Sequence, residues 1–182
     1  MTVQEYILRL KAVKTELDNT RESTAMLISQ DVLALQKSRI INTGKDDEGK
    51  KIGNYSKKVV PVWMYEKKEK RVSNAVEKLR KKKGNFASYA DWREVNNLPI
   101  EFKNFSFTNQ MWASIVAYVV ERTNNSVTVG YTANNETALK KLQYAIDKYP
   151  SLFNLSETEE KLVVESQEKR ILGVMRKWGV IQ

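Results

Sequence analysis

From Val3 to Ile40 the chain has neither glycine nor proline, and that run constrains the fold more than any other feature. Tyr6, Ile7, Leu10, Val13 and Leu17, then Thr24, Leu27, Ile28 and Leu35, fall close to one stripe at helical spacing. The stretch therefore reads as helix. Polar residues between Asp18 and Ser23, with weaker helix propensity, mark a point where it can break. So long a helix carries more apolar side chains than one small chain can cover, so it is expected to pack on neighbouring molecules as well as on its own core.

The run ends in TGKDDEGKKIGNYS, Thr43 to Ser56. Gly44 to Lys51 comes within one residue of the phosphate-binding pattern G-x-x-x-x-G-K-[ST]. Lys51 stands where that pattern needs a hydroxyl for magnesium. Asp46, Asp47 and Glu48 put negative charge where phosphates would lie. The context is also reversed, since the pattern should lead from a strand into a helix. An EF-hand fails too, for want of alternating Asp/Asn ligands and a closing Glu. The segment reads as a polar turn with Gly44, Gly49 and Gly53 as its positive-φ positions.

The 182 residues contain no cysteine and no histidine. That excludes disulfides, thiolate or imidazole zinc sites, cysteine nucleophiles and Ser-His-Asp arrangements. No carboxylate pair stands out by spacing, so the expectation is no enzyme, no cofactor and no metal. No apolar run is long enough to span a bilayer, and the start lacks a signal-peptide core, so no membrane association is expected.

Net charge is +9, unevenly placed. Residues 67 to 83 hold nine Lys/Arg against Glu69 and Glu77, which is +7 and leaves +2 for the rest. Arg71, Lys78, Arg80, Lys81, Lys82 and Lys83 are the candidate contacts for DNA or an acidic partner, on a helix with a thin apolar seam of Val72, Val76 and Leu79 that stops at Gly84. The run lacks interleaved stacking aromatics. This favours a solvated helix end, or a protein partner, over DNA. If DNA is bound, it is without sequence preference.

Further on, Val59 to Tyr65 is β-branched and aromatic, but Pro61 confines it to an edge or an extended arm. Residues 86 to 97 predict a short helix from Ser88, with Pro99 marking its end. Ile100, Phe102, Phe105 and Phe107 suggest an extended piece. Thr108 caps a turn of helix, followed by a strand at 115–120, hairpin chemistry at Thr123 to Ser126 and a strand through Val127, Val129 and Tyr131. A helix from Asn135 shows Leu139, Leu142 and Ile146 on one face and ends at Pro150. Ser156 and Glu159 form a capping box for the last helix. The fold class is α+β: mostly helix around a small antiparallel hairpin or sheet. The organisation is one domain, 1–182, with an exposed turn and extended arm at 42–65 and a basic helical insertion at 66–97.

This order of elements resembles the head–tail connector and tail-completion (neck) proteins of tailed bacteriophages. Three stretches carry the resemblance. The first is the opening helix with TGKDDEGKKIGNYS, similar to that family's glycine turn. The second is FSFTNQMWASIVAYVVERTNNSVTVGYT, where Phe107 to Met111, Ser114-Ile115 and Val129-Gly130 fall on a Leu-x-x-Thr-Gly segment and a hairpin ending in Val-Gly. The third is AIDKYPSLFNLSETEEKLV, similar to a tyrosine, Phe/Leu and Leu-Ser-x-x-Glu run before the last helix. Asn109 replaces the usual glycine and tolerates the same left-handed backbone; the insertion 66–97 lies outside the pattern. The resemblance implies a virion structural subunit, assembled in the host cytoplasm. Its partners would be copies of itself in a ring, the portal and other neck or tail proteins, and packaged DNA met without sequence preference. Trp63, Tyr65 and Trp92 are then the candidate interface aromatics, with half-buried anchors of the same chain as the equal alternative. Gly44, Gly49, Gly53, Asn109 and Gly130 are structural turn residues.

Overall fold

The structure, a computed structural model, describes residues 1–66, 73–105 and 110–182. The long helical run breaks once. Helix α1 (Val3–Asn19) opens with a capping box between Thr2 and Glu5 and ends at Thr20, where α2 (Arg21–Thr43) begins. There follow β1 (Val59–Pro61), α3 (Trp63–Glu66), α4 (Ser73–Lys83), β2 (Phe86–Ser88), α5 (Tyr89–Val95) and α6 (Gln110–Ser114). Strands β3 (Ile115–Arg122) and β4 (Val127–Ala133) precede α7 (Glu136–Lys148), a 3₁₀ turn (Pro150–Phe153) and α8 (Glu157–Lys177). The class is α+β, with two antiparallel two-stranded sheets, β1–β2 and β3–β4.

Two cores are present among the described residues. The first joins Ile40 of α2, Met111 and Trp112 of α6, Ile115 of β3, Leu142 and Ala145 of α7, and Leu152. Helix α7 meets it through Leu142 and Ala145, which with Ala138 form its buried i, i+4, i+7 face. Leu139 and Ile146, predicted to share the buried face with Leu142, are 42% and 39% exposed. The small alanines allow close approach of the helix axis, so the larger side chains lie on the flanks. The second core joins Val62, Val76, Leu79, Ala87, Trp92 and Val95. It makes residues 59–66 and 73–98 a small lobe rather than an arm and a helix. Pro61 pairs with Phe86 and Val62 is 1% exposed, so of the two readings of 59–65 the edge strand holds and the extended arm does not: a strand and a helical turn close this lobe.

A buried polar joint links the lobes. Arg93, 1% exposed, donates to the carbonyl of Pro99 at 2.8 Å and to Asn104 Oδ1 at 3.2 Å, and its guanidinium lies 3.9 Å from the Tyr55 ring centroid. Asn104 in turn accepts from the Tyr55 hydroxyl at 2.8 Å, and its carbonyl accepts from Trp112 Nε1 at 3.3 Å. Buried polar groups of this kind hold their place only when hydrogen-bonded. The extended piece expected from Ile100 onward is irregular backbone: Lys103 N–H donates to Gly53 O at 2.8 Å, and Phe105 adopts φ 53°. Phe107, Thr108 and Asn109, to which a strand position, a helix cap and a turn were assigned, lie outside the described residues.

Candidate functional site

The glycine turn is the first candidate. Helix α2 ends at Gly44 in the left-handed region, φ 62°, with its N–H on the Ile40 carbonyl at 3.0 Å. Gly49 and Gly53 also have positive φ, 78° and 132°. Inside the loop the Lys50 N–H donates to Asp46 Oδ1 at 2.8 Å, Gly49 N–H to the Asp46 carbonyl at 3.2 Å, and Ile52 N–H to the Gly44 carbonyl at 2.9 Å. A phosphate cradle needs such donors turned outward; here they close a tight hairpin-like turn that leaves a helix. Asp47 reaches across to Asn154, whose side chain donates to it at 3.0 Å.

Gly130, expected as a turn residue, is a strand residue. It lies inside β4 opposite Tyr118 and is no turn residue. A Cβ there would sit 2.9 Å from Val120 Cγ2 and 3.3 Å from the Tyr118 ring. The glycine makes room for those side chains on the outer face of the hairpin. Val120 itself has no opposite residue, because the register shifts between Val119 and Glu121 as in a β-bulge. The inner face packs on α2, where the Tyr131 hydroxyl donates to the Ser29 carbonyl at 2.7 Å and burial pushes its pKa up to about 12. The outer face presents Val116, Tyr118 and Val120, 41%, 46% and 55% exposed. A second apolar surface lies on the first two turns of α1, where Val3, Ile7 and Leu8 are exposed; Val13 is its buried residue.

The candidate interface aromatics separate. Trp63 is 51% exposed. Trp92 is 4% exposed and stacks between Tyr65 and Tyr89, with centroids 6.1 and 5.9 Å away. Trp92 is therefore a core residue and no surface contact, and Tyr65, its hydroxyl toward the Ala87 carbonyl at 3.4 Å, belongs with it.

The basic helix is anchored at one end. Val76 and Leu79 are buried, and Gly84, φ 76°, stops the helix as its position predicts. Lys83 bridges Asp91 at 2.9 Å and Glu94 at 3.4 Å, so it ties α4 to α5 rather than facing a ligand. Lys78, Arg80, Lys81 and Lys82 lie on the exposed side; Arg71 lies outside the described residues. The Lys83 contact, followed by the bonds from Ser88, holds Asp91 at a pKa of about 2 against an ordinary 3.8. A depressed carboxylate stabilises the fold above its unfolded pKa and ceases to do so as pH falls through its folded one. Denaturant titrations should therefore show Asp91→Asn less stable than the parent chain near neutral pH. That gap should narrow from pH 3.8 downward and close only below about 2.

Sequence reasoning missed a further cluster. Arg39 Nε pairs with Glu159 Oε1 at 2.9 Å, and its Nη2 donates to the Asn154 carbonyl at 2.8 Å. Both side chains are nearly buried, 11% and 9% exposed. Glu159 also closes the predicted capping box, accepting from Ser156 N–H at 2.8 Å. The pair clamps the end of α2 to the start of α8.

A groove between α1 and the end of α8 is lined by Glu16, Asn19, Lys177 and Trp178, among others. Its polar groups satisfy one another: Glu16 accepts from Lys177 at 2.8 Å and from Trp178 Nε1 at 2.6 Å. Among the described residues no helix is long and apolar enough to cross a membrane. Comparison with protein-family models, curated proteins and solved structures found no match.

Proposed function

We propose that this chain is a structural subunit of a tailed-bacteriophage neck, a head–tail connector or tail-completion ring between portal and tail. The observation that carries the reading is the pair of unpartnered apolar surfaces: the outer face of β3, with Val116, Tyr118 and Val120, and the first turns of α1. Contiguous apolar surface of this kind marks association sites in proteins. Two different surfaces on one subunit suit a heterologous interface, in which one patch of each copy meets another patch of the next and rotation closes a ring. The three stretches that resemble neck proteins support the same reading. They fall at the exit of α2, on α6 with the β3–β4 hairpin, and at the capping box of α8. Its partners are copies of itself and the portal and tail proteins above and below, its work is assembly rather than catalysis, and its place is the virion.

The outer strand face gives the test. Tyr118→Asp combined with Val120→Asp puts two charges on a surface that is already exposed, so circular dichroism and melting should stay near those of the parent chain. Assembly into rings, followed by light scattering, should be lost. Unchanged assembly by the double variant would remove this face from the interface.

A further inference from the structure

The β1–β2 lobe assembles what the sequence lacks, aromatic rings beside the basic helix. Antiparallel pairing sets Pro61 against Phe86 and Val60 against Ala87. Ala87 is 1% exposed and points into the second core, so the opposite face carries Val59 and Phe86, 58% and 62% exposed. The N–H of Val62 donates to the Asn85 carbonyl at 2.9 Å, so Trp63, 51% exposed, begins its helical turn beside the segment that leaves α4. Helix α4 buries Val76 and Leu79 and directs Lys83 to α5, so Lys78, Lys81 and Lys82 fall on its remaining sides. Among the described residues these three lysines form no ion pair, and Glu77 is the one acidic side chain on the helix.

We propose that this surface binds single-stranded nucleic acid without sequence preference. Lys78, Lys81 and Lys82 take phosphates, and Phe86 offers its ring face to bases. Charge complementarity selects the occupant. A membrane surface would need the apolar face of α4, which is already committed to the core. A duplex offers its phosphates but keeps base faces stacked inside, which leaves exposed rings unmatched. A single strand matches both the cations and the rings.

The full chain is titrated into a fluorescein-labelled oligothymidylate of about 16 nucleotides, the upper end of ordinary site sizes, with anisotropy as the readout. Binding at low salt should weaken as salt rises with a log–log slope of about −2, that for three phosphates on a single strand. Phe86→Ala should weaken binding roughly five-fold or more. Lys81→Glu with Lys82→Glu should weaken it at least ten-fold, while Lys11→Glu with Lys14→Glu on α1, a matched charge change far from the lobe, should do much less. All of these positions are exposed, and melting curves confirm that the variants are folded. The proposal is overturned by an absence of binding at low salt. It is equally overturned by duplex binding as tight as single-strand binding with Phe86→Ala inert, or by tighter binding to phosphatidylserine-containing vesicles. None of these results bears on ring assembly, which uses other surfaces.

Discussion

Arg39→Ala should lower the stability of the folded chain by about 3–5 kcal/mol, the cost of removing one member of a buried ion pair. The guanidinium lies between the Glu159 carboxylate at 2.9 Å and the Asn154 carbonyl at 2.8 Å. Its loss leaves Glu159, 7% exposed, without its countercharge and opens the junction of α2 with α8. Glu159→Gln should cost less. It keeps the volume and an acceptor for Arg39, but loses the charge and part of the capping box. Urea or guanidinium unfolding of the two variants measures the difference. Equal and small losses, below about 1 kcal/mol, would mean that the pair behaves as an exposed one.

Gly44→Ala should cost about 2–5 kcal/mol, from two separable sources. A non-glycine residue in the left-handed region costs about 1–2 kcal/mol. Overpacking adds about 1–3 kcal/mol, because a Cβ at Gly44 would sit 2.2 Å from Cδ2 and 2.5 Å from Cβ of Phe102. Gly49→Ala is the control: its φ is 78°, and a Cβ there meets nothing within 4 Å. It should show the conformational cost alone. For a chain of this length each kcal/mol lowers Tm by roughly 2–4 °C, so melting curves resolve the two variants. If both variants melt together, the Phe102 contact contributes nothing.

These two positions show where sequence reasoning reaches and where it stops. A helix that meets K-D-D-E between two glycines must turn, so the positive φ of Gly44 was legible. The ring of Phe102 above it was not, because nothing local connects residues so far apart. The break at Thr20 was legible from the weak helix formers around it, and the caps at Ser88, Asn135 and Ser156 and the β3–β4 hairpin were legible because each is a local hydrogen-bonding device. Trp92 stayed undecided between interface and anchor because its seven-residue helix gives little periodicity from which to read a buried face. Its burial follows from β1 folding back on β2, a partner that the edge-or-arm reading of Pro61 left unnamed. Pro61 is tolerated because it lies on an edge strand of a two-stranded sheet. Arg39, Arg93 and Asn104 looked like ordinary polar residues. Their importance comes from tertiary partners that sequence spacing does not encode.

The candidate surfaces divide the same way. The +7 segment was visible in composition alone, but its division was not: Lys83 is used inside the lobe, while Lys78, Lys81 and Lys82 stay outside it beside Phe86. The apolar strand at 115–120 was also visible. That Val116, Tyr118 and Val120 form its outward side, with Tyr118 resting over Gly130, is a feature of the folded hairpin.

The most direct test of the neck reading is the state of the purified chain in solution, followed by multi-angle light scattering and negative-stain imaging as concentration is raised. The expected result is a closed ring of one size, which Tyr118→Asp with Val120→Asp returns to single folded subunits. A chain that keeps the mass of one subunit at every concentration, its apolar strand face still open to water, would contradict the account.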